Sequence, residues 1–86
     1  MKFKITQEMI DTGKPGGCFD CPVALALLKH FYHVKVNVIE VSVYMKNSKT
    51  VTYKTSKKLQ DFIRRFDNNL SVNPNEFELA KNSLDI

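Results

Sequence analysis

Eighty-six residues with a formal charge of +4 fit one small domain and leave no room for a second. A composition of 43% hydrophobic and 26% charged residues, with three Gly and three Pro, excludes intrinsic disorder. No apolar run approaches the ~20 residues that span a bilayer, so the chain is expected to be cytoplasmic and without a membrane partner.

Lys2 to Ile5 reads as a first, edge strand with Phe3 and Ile5 on one face; its alternation of charge and apolar side chain is unlike a signal peptide. Thr6 is placed to cap a short helical turn through its hydroxyl, with Glu8 near the positive helix end and Met9 and Ile10 as apolar contacts. Gly13 is expected to end that turn in a left-handed conformation. Lys14-Pro15-Gly16-Gly17 must be a loop.

Pro22 to about Tyr32 predicts the main helix, because proline suits the first helical position and Ala24, Leu27, Leu28 and Phe31 recur at helical spacing. Val23, Leu25 and Ala26 make it apolar nearly all round, the mark of a helix buried on more than one side. His30 and His33 are expected at its C-terminus, where positive charge is favoured.

From Val34 to Tyr44 the pattern alternates as a strand, but its phase slips by one residue at Val38-Ile39. A β-bulge absorbs such a slip and is the preferred reading; two separate strands are the alternative. Lys46-Asn47-Ser48 forms a hairpin turn, and Thr50 to Lys54 returns with Val51 and Tyr53 inward. Thr55 or Ser56 caps a second helix whose inner stripe is Leu59, Phe62, Ile63 and Phe66. Asn68 and Asn69 stop it. Glu76-Phe77-Glu78-Leu79 is a short last strand, and residues 81–86 are assigned to a loose tail beyond a single domain of residues 1–80. The predicted architecture is α+β: a small, mainly antiparallel sheet in β-α-β-β-α-β order with two helices on one face.

Charge is unevenly spread. Lys46, Lys49, Lys54, Lys57, Lys58, Arg64 and Arg65 fall in one window with Asp61 as its single acid, whereas the stretch from Asp67 onward is acidic. Lysines often guard sheet edges, but a basic window of this kind also attracts phosphate or an acidic protein surface. Tyr44 and Tyr53 nearby are candidate stacking residues for nucleic acid, although no helix-turn-helix, RNP or KH signature is present.

Cys18 and Cys21 form a C-x-x-C directly before the main helix, with three readings. A thiol at a helix start favours its thiolate, which suits redox chemistry. Two cysteines with His30 and His33 suggest zinc, but a helical path from Cys21 to His30 covers ~13 Å at ~1.5 Å per residue, too far for one ion with bonds of ~2.0–2.3 Å. The favoured reading is structural, with Cys21 as the N-cap beside Pro22. No nucleophile–base pair and no phosphate-binding glycine loop is evident, and Glu76 and Glu78 read as a solvated strand edge. The expectation is therefore a protein that is not an enzyme and carries no metal or cofactor.

Three segments taken together, Cys21-Pro22-Val23-Ala24-Leu25-Ala26, Phe62-Ile63-Arg64-Arg65-Phe66-Asp67 and Val72-Asn73-Pro74-Asn75-Glu76-Phe77-Glu78-Leu79, resemble a group of small phage and prophage proteins. That group has a Cys-Pro-x-Ala-Leu-Ala helix start, a Phe-Ile-x-x-Phe-Asp helix and a Pro-x-Glu-Phe-x-Leu ending, and the likeness extends to Ile5-Thr6, Ile10 and Gly13. The resemblance implies a phage accessory protein in the cytoplasm of a bacterial host. Such proteins commonly act by binding, which points to inhibition of a host or defence factor, such as a CRISPR or nucleotide-signalling component. The contact surface expected is Lys46, Lys49, Lys54, Lys57, Lys58, Arg64 and Arg65. A small basic nucleic-acid-binding regulator and a C-x-x-C thiol or metal protein are the alternatives, in a monomer or homodimer.

Overall fold

The computed structural model describes residues 1–17 and 19–81. Its elements, in chain order, are β1 (Lys2–Ile5), α1 (Gln7–Thr12), α2 (Pro22–Leu27), β2 (His33–Val36), β3 (Glu40–Tyr44), β4 (Thr50–Lys54), α3 (Lys57–Asp67), β5 (Asn75–Glu78) and β6 (Ala80–Lys81). The fold is α+β, as the patterning predicts. It has three helices rather than two because the turn after Thr6 is itself helical, and its strands form two small antiparallel sheets rather than one. One sheet is β1-β5; the other has the order β2-β3-β4-β6.

The two sheets share one stretch of chain. Leu79 N–H donates to the Met1 carbonyl at 2.7 Å, and the Met1 amine donates back to the Leu79 carbonyl at 3.0 Å, which extends the β1-β5 ladder by one pair. The next residue, Ala80, is instead opposite Lys54 of β4. The strand therefore changes partners at Leu79, whose side chain is buried. Lys81, placed in the tail by sequence, pairs with Tyr53; residues 82–86 of that tail lie outside the described residues.

One core fills the space between the sheets and the helices. It takes Phe3 and Ile5 from β1, Val34 and Val36 from β2, Val41 and Val43 from β3, Leu59, Phe62 and Ile63 from α3, and Phe77 from β5. The pairings Val34 with Val43 and Val36 with Val41 put the valines of both strands on one face, which period-2 alternation requires. The opposite face of the four-stranded sheet carries His33, Lys35, Glu40, Ser42, Tyr44, Thr50, Thr52 and Lys54.

The phase slip at Val38-Ile39 is a chain reversal, not a bulge. Val36 pairs with Val41 and Asn37 N–H donates to the Glu40 carbonyl at 2.9 Å, so Val38 and Ile39 are the two residues of a tight turn. Hairpins of this length normally place Gly or Asn at positive φ, and neither residue here has positive φ. The turn is held from outside: the Thr55 hydroxyl donates to the Val38 carbonyl at 2.6 Å and Thr55 N–H donates to the Ile39 carbonyl at 3.2 Å. Gln60 Nε2 in turn donates to the Thr55 hydroxyl at 3.1 Å, which ties the same turn to α3.

The main helix is shorter than its apolar pattern suggests. It ends at Leu27, because the Tyr32 amide donates to the Tyr44 carbonyl and commits the chain to the sheet. His33 accordingly begins β2 rather than ending a helix. Cys21 is the N-cap, its Sγ accepting from Ala24 N–H at 3.5 Å. Thr6 and Ser56 cap α1 and α3 through their hydroxyls. The Asn68-Asn69 stop is a Schellman motif: Leu70 N–H donates to the Arg65 carbonyl, Asn69 N–H to that of Phe66, and Asn69 has φ of 60°.

Gly13 is extended, with φ −70° and ψ 157°, not left-handed. Glycine is needed there for space: a Cβ would lie 2.7 Å from Pro22 Cδ and 2.8 Å from the Met9 carbonyl oxygen. The α1 end and the α2 start are thereby pressed together. Gly13→Ala is expected to cost about 1–3 kcal/mol, the usual range for overpacking, read as a lowered urea midpoint; an unchanged midpoint would show that this junction relaxes freely.

Candidate functional site

The seven basic residues of the sequence window are all exposed, and the fold divides them. Lys46 and Lys49 sit in the β3-β4 turn. Met45 N–H donates to the Lys49 carbonyl and closes a three-residue loop, 46–48, in which Ser48 N–H donates to the Met45 carbonyl and Ser48 has φ of 68°. Lys54 is at the far end of β4, about 17 Å away at ~3.4 Å per residue. It adjoins α3, whose first turn carries Lys57 and Lys58 and whose last turn carries Arg64 and Arg65.

Helical geometry sets the face that α3 shows. Leu59, Phe62, Ile63 and Phe66 are buried, so the 3.6-residue period turns Lys57, Asp61 and Arg64 together toward solvent, with Lys58 and Arg65 along one flank. Lys57 and Arg64 are about 10 Å apart along the axis, with Asp61 between them.

Two of these side chains also hold the fold. Lys58 Nζ lies 5.3 Å from the centre of the Phe77 ring and donates to Asn75 Oδ1 at 3.4 Å. Arg65 Nε donates to the Ser71 carbonyl at 3.2 Å. Both fasten the segment that leads into β5 against α3, so charge reversal at either would disturb structure as well as any contact. Lys54, Lys57 and Arg64 are the cleaner probes.

A cavity of about 420 Å³ opens at the fork where the strand leaves β1 for β4, lined by Lys2, Lys54, Lys58, Glu76 and Glu78 among others. Its charges nearly balance. Lys2 is opposite Glu78 and Lys4 opposite Glu76 across the β1-β5 ladder, an arrangement that stabilises antiparallel pairs and accounts for the paired carboxylates.

Of the C-x-x-C, Cys21 is buried at the start of α2, and the pairing with Cys18 lies outside the described residues. His30 is exposed. Among the described residues, no group of three or more His, Cys, Asp or Glu is placed to hold a metal ion. None of their helices is long and apolar enough to cross a membrane.

Sequence reasoning missed an aromatic stack on the solvent side of the four-stranded sheet. Phe19 and His33 stack at 5.3 Å between ring centres, 25° from parallel, and His33 meets Tyr44 at 5.4 Å. Phe19 lies in a loop with no periodicity to read, and His33 was assigned to a helix end, so no sequence signal joined them. Of the two tyrosines considered for stacking, Tyr44 is in this cluster, whereas Tyr53 packs against the core.

No family model, curated protein or solved structure matches the chain.

The Lys58–Phe77 contact is checked by a double-mutant cycle with Lys58→Ala and Phe77→Leu. A coupling of about 0.5–1 kcal/mol is expected, as for exposed cation–π pairs; strictly additive losses would reduce Lys58 to a surface charge.

Proposed function

We propose that the protein acts by binding, and that the solvent face of α3, with Lys54 beside it, engages an acidic protein surface. The observation that carries this reading is electrostatic. A helix N-terminus has a partial positive charge, so cations there are unfavourable by about 0.3–1 kcal/mol each. The first turn of α3 nevertheless holds Lys57 and Lys58 and no acidic residue. Lys58 has contacts to offset this; Lys57 has none among the ion pairs and hydrogen bonds of the described residues. A local rule broken without a folding benefit is expected at functional or strained sites, and nothing in the backbone at Lys57 is strained.

Protein is favoured over nucleic acid at this face by Asp61. It interrupts the cations midway between Lys57 and Arg64, where a uniformly charged phosphate backbone would be repelled. A protein surface with acid, base, acid at matching spacing satisfies all three. In the phage setting that the resemblance implies, the partner is a bacterial host or defence factor and the outcome is its inhibition.

Lys57→Glu provides the sharpest check, because stability and binding should move in opposite directions. The variant is expected to gain about 0.3–1 kcal/mol of folding stability from the helix dipole. In nuclease-treated bacterial lysate, wild-type bait should retain a protein that Lys57→Glu/Arg64→Glu bait does not, and the purified partner should bind more weakly as salt rises. The same proteins on both baits would reject the surface.

A further inference from the structure

We propose a second site, separate from the α3 face: the outer face of the four-stranded sheet binds single-stranded nucleic acid, with one base stacked on Phe19 and neighbouring phosphates held by Lys35, Lys46 and Lys49.

Three aromatic rings are brought together there from three parts of the chain. Phe19 comes from the loop before α2, His33 from β2 and Tyr44 from β3, with centre-to-centre distances of 5.3 and 5.4 Å. Folding alone gives little reason for the arrangement. Phe19 is 52% exposed and His33 is exposed, so neither contributes to the core, which lies on the opposite face of these strands. Phe19 ends the stack and is half exposed. A flat heterocycle is the natural continuation of such a stack, and base–aromatic stacking tolerates any base.

The charges beside the stack are mainly positive, with Asp20 next to Phe19 as the exception. Lys35 is two residues along β2 from His33, about 7 Å. Lys46 and Lys49 crown the β3-β4 turn directly beyond Tyr44. The row next to the stack is Lys35, Ser42 and Thr52, which supplies one cation and no carboxylate. Glu40, the acid of this face, is at the other end of the sheet, opposite Lys54. Asp20, in the loop that carries Phe19, has Lys14 4.0 Å away. Cations outnumbering acids around a π platform complement a polyanion that carries exposed bases. A duplex keeps its bases stacked on each other and so cannot use the platform.

The test is fluorescence anisotropy with labelled oligo-dT and oligo-U of about 12 nucleotides and a duplex of the same length. Single strands are expected to bind at least tenfold more tightly than duplex at equal salt. Three phosphate contacts predict a log–log salt slope of about −2, which Lys35→Gln/Lys46→Gln/Lys49→Gln should flatten toward zero. Phe19→Ala should weaken binding about tenfold or more. The chain has no tryptophan, so Phe19→Trp should keep affinity and add a single indole whose emission is quenched by the oligonucleotide. Lys57→Glu/Arg64→Glu serves as the control and should bind within about twofold of wild type, which separates this site from the α3 reading. Equal affinity for duplex and single strand, or full affinity in Phe19→Ala, would overturn the proposal. So would oligonucleotide binding that is absent while a purified protein is bound and lost in Phe19→Ala, an outcome that would give the face to a protein.

Discussion

The structure turns on Leu79, where one extended segment leaves β1 and joins β4. Up to that residue the chain is bonded to the N-terminal strand, through Leu79 N–H and C=O both engaged with Met1; beyond it the chain pairs with Lys54 and Tyr53. A domain of this size buries too little surface to stabilise two independent sheets, and a two-stranded ribbon alone is marginal in water. Sharing a strand resolves both difficulties. It presses Phe3 and Phe77 of the small sheet into the same core as the valines of the larger one, and it leaves the fork over which the first turn of α3 sits.

That arrangement determines which surfaces remain open. All three helices contribute buried side chains to the one core, and among the described residues no helix covers the other side of the four-stranded sheet. The α3 solvent face and the outer sheet face are distinct surfaces that adjoin at Lys54. Their charge patterns differ accordingly. On α3 the cations are interrupted by Asp61, which suits a patterned protein surface; beside the aromatic stack Lys35, Lys46 and Lys49 outnumber Asp20, which suits a phosphate backbone.

Much of the fold is legible in the sequence because its signals are local. Thr6, Cys21 and Ser56 cap helices through their own side chains, Asn68-Asn69 ends one through an αL residue, and the inner stripe of α3 follows from 3.6-residue spacing. The departures all come from partners distant in sequence. Val38-Ile39 looks like a bulge because neither residue is a turn former; Thr55 makes the turn. The apolar run to Tyr32 looks helical until Tyr44 captures the Tyr32 amide. Gly13 suggests a left-handed cap, yet its constraint is the approach of Pro22. The basic residues of the candidate surface could be read off the chain, but their division between the β3-β4 turn and α3, and the duties of Lys58 and Arg65, depend on contacts the sequence does not encode locally. Phe19, His33 and Tyr44 had no common pattern at all.

A chain this small has few kcal/mol to spare, so side chains that work against folding, or stay outside it, call for another cause. Scattered exposed apolar residues are ordinary, and Ile39 at its turn, 65% exposed, needs no further account. Lys57 at a helix N-terminus is different because it opposes the dipole, and Phe19 is different because it stacks on His33, which in turn meets Tyr44, on the outer side of the sheet. Neither position follows from the core, the caps or the strand that joins the sheets. Both follow if an acidic protein approaches α3 and a nucleobase continues the stack, and it is at these two residues that folding and function make separable demands on the sequence.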